Sequence, residues 1–145
     1  VNRWRTELRL LSKEDLPEAL ALWARAGIQI TLSDRVSELE RVLDHNPETC
    51  LAAVDGDGRI VGAVLGTFDG RRAHIWHLAV TPELQGNGIG RALLAKLESR
   101  WMAMDVVKIS FSSEVGNASA IAFYEHLGFE YRHDICYLSK ILREE

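Results

Sequence analysis

The chain has 145 residues, 47% hydrophobic and 26% charged, with 17 basic against 21 acidic side chains and a formal net charge of -4. That is the size and make-up of one compact globular domain with a core of its own, and no apolar run approaches bilayer-spanning length, so a membrane protein is not expected. No basic stripe with interleaved aromatics occurs, which argues against nucleic acid as a partner.

Arg3, Arg5 and Arg9 are followed by no apolar stretch of signal-peptide type, and Cys50 and Cys136 stand far apart without CxxC spacing. A cytoplasmic protein with two buried, inert thiols is the expectation. The mild acidity suits a cationic amine substrate, although it equally serves solubility alone.

In chain order, Thr6 to Leu11 alternates weakly and reads as a first strand. Asp15 with Glu18 three residues on makes a capping-box pattern, and Pro17 falls in the first turn, so a helix should start near Leu16 and end at Gly27. A second, shorter helix is predicted with Val36, Leu39 and Leu43 inward, stopping before Asn46-Pro47. Thr49 to Val54 and Arg59 to Phe68 flank Asp55-Gly56-Asp57-Gly58, a hairpin pattern, and a second tight turn at Asp69-Gly70 leads into Ala73 to Val80. The last strand of this meander is expected to be central. A Gly-rich loop follows, then a helix to about Met104 with Ile89, Leu93, Leu97, Trp101 and Met104 at core spacing, then a strand over Val106 to Ser112. Asn117 is a predicted N-cap for a helix through Leu127 that Gly128 terminates, and Glu130 to Leu142 could hold one or two closing strands. Antiparallel strands followed by a βαβ crossover make a mixed α+β sheet, and the whole chain, 1–145, reads as one domain.

The most informative segment is Leu78-Ala79-Val80-Thr81-Pro82-Glu83-Leu84-Gln85-Gly86-Asn87-Gly88-Ile89-Gly90-Arg91. Glycines between a strand end and a helix start let backbone N–H groups point at phosphate oxygens, with the helix dipole adding to the attraction. A nucleoside triphosphatase loop would carry Lys and Ser or Thr after its last glycine, where Arg91-Ala92 stand; the dinucleotide fingerprint fails because its third glycine would fall on Arg91.

The loop Gln85-Gly86-Asn87-Gly88-Ile89-Gly90 resembles the Q/R-x-x-G-x-G/A cofactor loop of the GNAT N-acetyltransferase superfamily, and Asn117-Ala118-Ser119-Ala120-Ile121-Ala122-Phe123-Tyr124 followed by Gly128-Phe129 resembles its second signature. The hairpin Phe68-Asp69-Gly70-Arg71-Arg72 looks like that of the YpeA-like bacterial branch, near the ribosomal-protein N-terminal acetyltransferases. The resemblance implies acetyl-coenzyme A as co-substrate and no metal. Its pantetheine would lie along Leu78, Ala79 and Val80, its phosphates over Gln85 to Arg91, with Asn117 and Ala120 on the cofactor side and Tyr124 donating a proton to the departing thiolate.

The general base is less defined. The Glu of the ribosomal-protein branch is replaced by Ser112, a poor base. His74 matches a His of arylalkylamine acetyltransferases, and on the strand it should share a face with Trp76 and Leu78, with His77 on the opposite face; Glu114 is a weaker alternative. A weak base favours an α-amine, with a pKa of about 8, over a lysine amine near ~10.4. The acceptor is therefore expected to be a peptide N-terminus or small amine, bound near the segment from Gly27 to Asn46 and the hairpin at Arg71, with Asp34, Arg35 and Trp76 as possible lining. A non-catalytic acyl-coenzyme A sensor, a longer acyl donor, and a monomer or homodimer remain open alternatives.

Overall fold

The computed structural model describes residues 5–114 and 116–144; Arg3 of the basic N-terminal stretch lies outside the described residues. The chain divides into two units, Val1–Phe111 and Ser112–Glu145. In the first, a five-stranded sheet runs in the order β1 (Glu7–Leu10), β2 (Cys50–Val54), β3 (Ile60–Phe68), β4 (Ala73–Val80) and β5 (Ile109–Phe111). The first four strands pair antiparallel and β5 joins β4 in parallel. The parallel pair needs a crossover, which helix α3 (Ile89–Ala103) supplies. β4 thus has a strand on each side, as expected of a central strand.

Helices α1 (Leu16–Arg25) and α2 (Val36–His45) cover one face of the sheet. Leu16, Trp23, Leu39 and Leu43 meet Ala63, Leu65 and Ala79 there in one buried cluster. Trp23 is fully buried, and its indole N–H donates to the Ala63 carbonyl at 3.3 Å, which satisfies the polar end of a large apolar group. Leu93, Leu97 and Trp101 of α3 are buried against the other face, close enough that a Cβ at Gly62 would stand 3.1 Å from both Ile89 and Leu93.

Local signals set most boundaries, with three differences at the helices. Asp15 does not cap α1 with Glu18. Its carboxylate accepts hydrogen bonds from the Ser12 N–H (2.8 Å) and hydroxyl (2.9 Å), closing a 3-10 turn over Lys13–Asp15, while Glu18 accepts the Ile60 N–H at 2.9 Å and ties α1 to β3. Val36, expected inward, is 42% exposed because the buried stripe of α2 begins one turn later at Leu39. Met104 is likewise 39% exposed: α3 ends at Ala103, and Asp105 at φ +60 turns the chain away from the core.

The Asp15 carboxylate also takes two bonds from the Arg9 guanidinium, at 2.6 and 3.0 Å, and this partner holds it down to about 2. Because the folded value lies below the unfolded one, the stabilisation is fully present above about pH 4 and is lost as pH falls toward 2. Arg9 is partly solvated, so the contribution is on the order of 1 kcal/mol. Asp15→Asn should lower stability by that amount at pH 7 and flatten the loss between pH 4 and 2, as read by urea unfolding across that range.

β5 covers only Ile109–Phe111, shorter than the expected Val106 to Ser112; Val107 is almost fully exposed and Ser112 lies beyond the strand. In the second unit, α4 (Ala118–His126) begins at Asn117, whose side-chain oxygen accepts the Ala120 N–H at 3.2 Å, and Gly128 at φ +96 stops it. The closing strands expected over 130–142 do not form; Ile135, Leu138 and Leu142 are exposed. Strand propensity is expressed only where a neighbouring strand takes up the backbone groups. Cys50 is buried, and burial pushes its thiol up to about 11, whereas Cys136 is exposed, contrary to expectation.

Candidate active site

β4 is the element on which the site is built, and its two edges differ. β5 pairs with it only through Ala73, His74 and Ile75, so beyond Ile75 that edge has no neighbouring strand among the described residues. On the other edge, the Thr81 N–H donates to the Val61 carbonyl at 2.8 Å, and Ala79 stands opposite Ala63. Alternation along an antiparallel pair then directs the main-chain groups of Val80 away from β3, toward the open edge. The Val80 carbonyl is indeed reached from that side by the Gln85 amide group, at 3.1 Å. The main chain of Val80 thus faces an edge with no strand partner, on the stretch Leu78–Val80 that leads into the glycine loop.

That loop is held in shape by its own side chains. Besides Gln85, the Asn87 amide donates to the Leu84 carbonyl at 2.9 Å. Arg25 at the end of α1 donates to the Thr81 hydroxyl (2.7 Å) and to Glu83 (3.1 Å), fastening the loop's first residues. Gly86 and Gly88 both adopt φ +84, and a Cβ on either would meet no atom within 4 Å. The left-handed backbone, and not crowding, therefore selects glycine here. The first helical bond of α3 runs from the Ala92 N–H to the Gly88 carbonyl, which leaves the amides of Ile89, Gly90 and Arg91 without intrahelical acceptors. With Gln85 and Asn87 side chains spent internally, the donors left for an anion are main-chain N–H groups at a helix N-terminus, beside the exposed Arg91. This donor set fits a diphosphate, and the open strand edge fits an extended, amide-bearing chain.

The side chains of β4 are not arranged as simple alternation predicts. His77 and Leu78 together stand opposite the single residue Val64, and His77 has φ +54. This bulge drops one step from the period of two. Trp76 and Ala79 consequently both reach the core beneath α1 and α2. Leu78, next to Ala79, falls on the other face and does not share one with His74. His77, expected on the opposite face from His74, turns toward α1: its ring lies edge-on to Trp23 at 5.2 Å, and its Nε2 is 2.6 Å from Asp34 Oδ1.

His74 lies 4.1 Å, centroid to centroid, from the Trp76 ring, whose N–H is donated to Thr67 at 3.1 Å. Its Nε2 is buried with no hydrogen-bond partner, and burial lowers its pKa, so the ring is held neutral. Asp34 is 7% exposed and was suggested by sequence only as lining. A local signal for it exists in Thr31-Leu32-Ser33-Asp34, since the Thr31 N–H (2.9 Å) and hydroxyl (3.2 Å) donate to its Oδ2; the approach to His77 has no signature in the sequence. Arg35 and Arg71 are exposed.

In the second unit, Tyr124 is buried, with its ring edge-on to Phe123 and Phe129 at 5.2 Å each, and burial pushes its phenol well above the ordinary value. Asn117 is exposed, Ala120 half-buried, and Ser112 and Glu114 exposed. Among the described residues there is no group of side chains able to hold a metal ion and no helix long and apolar enough to cross a membrane.

Comparison with known proteins bears on the fold and the family. The chain is 32% identical over 139 residues to the acetyltransferase SG1711 of Sodalis glossinidius (strain morsitans), covering 96% of this chain and 97% of that protein. The ribosomal-protein-S18-alanine N-acetyltransferase of Escherichia coli superposes with a TM-score of 0.72 at 25% identity, over 87% of this chain and 78% of that one. The PaiA N-acetyltransferase of Thermoplasma acidophilum, solved in complex with coenzyme A, has the same fold, with a TM-score of 0.79 at 19% identity over 88% and 91%. The model of the acetyltransferase (GNAT) family matches residues 10–129, and with that match the chain is a member of the GNAT family and an acetyltransferase.

Proposed function

We propose that this chain, acting as one domain over 1–145, transfers an acetyl group from acetyl-coenzyme A to a primary amine by direct attack in a ternary complex in the cytoplasm. The acceptor class is a peptide N-terminus or a small amine. The observation that carries the reading is the continuity of the open Leu78–Val80 backbone edge with the unpaired amides at the start of α3. The main chain of Leu78, Ala79 and Val80 would orient the pantetheine and polarise the thioester carbonyl. The amides from Gly86, Asn87 and Gly88 through Ile89, Gly90 and Arg91 would hold the phosphates, with Gln85 bracing the loop. Asn117 and Ala120 contribute on the cofactor side. Acetyl-coenzyme A supplies an activated acyl group with a thiolate leaving group. Tyr124 holds a proton for that thiolate, and His74, kept neutral by burial, is the proposed acceptor of a proton from the nitrogen.

Calorimetric titration of the folded protein with coenzyme A, followed by thiol release from acetyl-coenzyme A across an amine panel, tests the reading. Saturable binding and amine-dependent thiol release are expected. No affinity for coenzyme A would end it, and binding without turnover on any amine would assign the chain a sensing role.

A further inference from the structure

The His77–Asp34 pair lies at the bulge of β4, beside the backbone edge that the proposed function assigns to the acyl donor, and that reading leaves it without a role. Asp34 is nearly excluded from solvent and comes from the 3-10 turn Leu32–Asp34 between α1 and α2. Its Oδ2 accepts two hydrogen bonds from Thr31, and its Oδ1 stands 2.6 Å from His77 Nε2. A carboxylate cannot donate, so Nε2 carries the hydrogen, and in the neutral ring Nδ1 is the basic nitrogen. His77 Nδ1 bonds to no group among the described residues, and the side chain is 17% exposed, enough for one ring edge to reach solvent. The contrast with His74 is direct: there Nε2 is sealed in without a partner, and the residue sits where β4 is still paired to β5, opposite Ser110.

Amide formation from an amine that arrives as ammonium requires two protons to leave nitrogen, one before attack and one after the carbon–nitrogen bond has formed. One ends on the departing sulfur's side of the balance and the other must reach water. We propose that His77, oriented by Asp34, accepts the first of these protons, converting a bound alkylammonium to the free amine and passing the proton to solvent. Asp34 is a positioning residue: it selects the tautomer and stabilises the imidazolium that forms. The proposal rests on the amine-acetyltransferase reading and deepens it, because it extends the acceptor class to amines that are protonated at neutral pH. The expectation of an α-amine followed from the weakness of the base candidates Ser112, His74 and Glu114, and His77 differs from them in the buried carboxylate held against its ring.

Few other ionisable groups compete at this place. Trp23 of α1 and Val64 of β3, which adjoin His77, carry no charge, and Arg25 of α1 is committed to Thr81 and Glu83. Arg35, next to Asp34 in the chain, is exposed, and His74 lies three residues back on β4.

The test compares kcat/KM for two acceptors, a peptide α-amine of pKa about 8 and a lysine-type amine of pKa about 10.4, from pH 6.5 to 9.5. His77→Asn is suited to it, since Asn tolerates the left-handed backbone that His77 adopts. The variant should lose roughly 10²-fold on the lysine-type amine at pH 7, less than about tenfold on the α-amine, and regain rate on both as pH rises. Coenzyme A affinity measured by calorimetry should persist. Should His77→Asn fail to fold, Asp34→Asn is expected to give the same acceptor-dependent pattern with a smaller loss. Equal losses on both amines, or none on either, would overturn the proposal, as would a wild-type enzyme that acetylates the α-amine but not the lysine-type amine. A wild type that acetylates no amine at all would remove the underlying reading and this proposal with it.

Discussion

Replacing Tyr124 by Phe is expected to lower turnover by roughly 10² to 10⁴-fold, the usual contribution of a positioned general acid. The change removes one oxygen and keeps the ring, so the edge-on contacts with Phe123 and Phe129 survive and α4 should stay in place. Burial raises the phenol above its ordinary value, which means that the hydroxyl keeps its proton throughout the assayable range and an alkaline fall in rate would have to come from another group. The measurement is thiol release from acetyl-coenzyme A in the presence of an amine, alongside calorimetric binding of coenzyme A. Loss of turnover with affinity retained is the signature of a proton donor. Wild-type turnover in Tyr124→Phe would reduce the residue to an aromatic that packs its helix.

Adding a single methyl group at Gly66 should cost as much stability as deleting several elsewhere. A Cβ there would lie 2.5 Å from the Thr49 carbonyl oxygen, 2.8 Å from Trp101 and 3.0 Å from Leu97. The first of these is backbone and cannot swing aside. The same carbonyl accepts the Gly66 N–H at 2.9 Å, while the Thr49 hydroxyl donates back to the Gly66 carbonyl at 2.7 Å, so relieving the clash strains the β2–β3 pairing. Gly66→Ala is expected to destabilise by about 2–3 kcal/mol, a drop of roughly 6–10 °C in melting temperature for a chain of this size. Gly56→Ala is the control, since a Cβ there meets nothing within 4 Å. Equal melting temperatures for the two variants would show that Gly66 is not held between the Thr49 carbonyl and α3 as closely as described. The seating matters for chemistry, because α3 carries the unpaired amides of the glycine loop at its N-terminus.

Much of this architecture follows from features that act over a few residues. Pro17, Gly27, Asn117 and Gly128 each bias their own backbone, and helix limits at Leu16, Arg25, Ala118 and His126 follow from them. The turns at Asp55–Gly58 and Asp69–Gly70 were legible for the same reason, since positive φ has a steric cost for other residues that glycine escapes, whereas glycines 86 and 88 were expected for close backbone approach and instead answer to their left-handed φ. Strand extent was less legible. Residues 130–142 and 106–108 have apolar content but form no strand, because pairing is decided by what lies alongside and not by the segment itself.

The facing of β4 side chains was where strict alternation went astray. One inserted residue at His77 reversed the faces of His77 and Leu78, and a bulge depends on the register between β3 and β4, to which each strand's own sequence is blind. Hydropathy patterning and turn residues were thus sufficient to determine an α+β domain with a glycine loop at the end of its fourth strand, and the resemblance of two motifs to the GNAT family added the acetyltransferase activity. Only the tertiary structure decided which side chains meet there: the burial of Asp34, its contact with His77 and the sealing of His74 arise from residues 43 positions apart or packed from different layers, and such encounters are fixed by the folded chain as a whole.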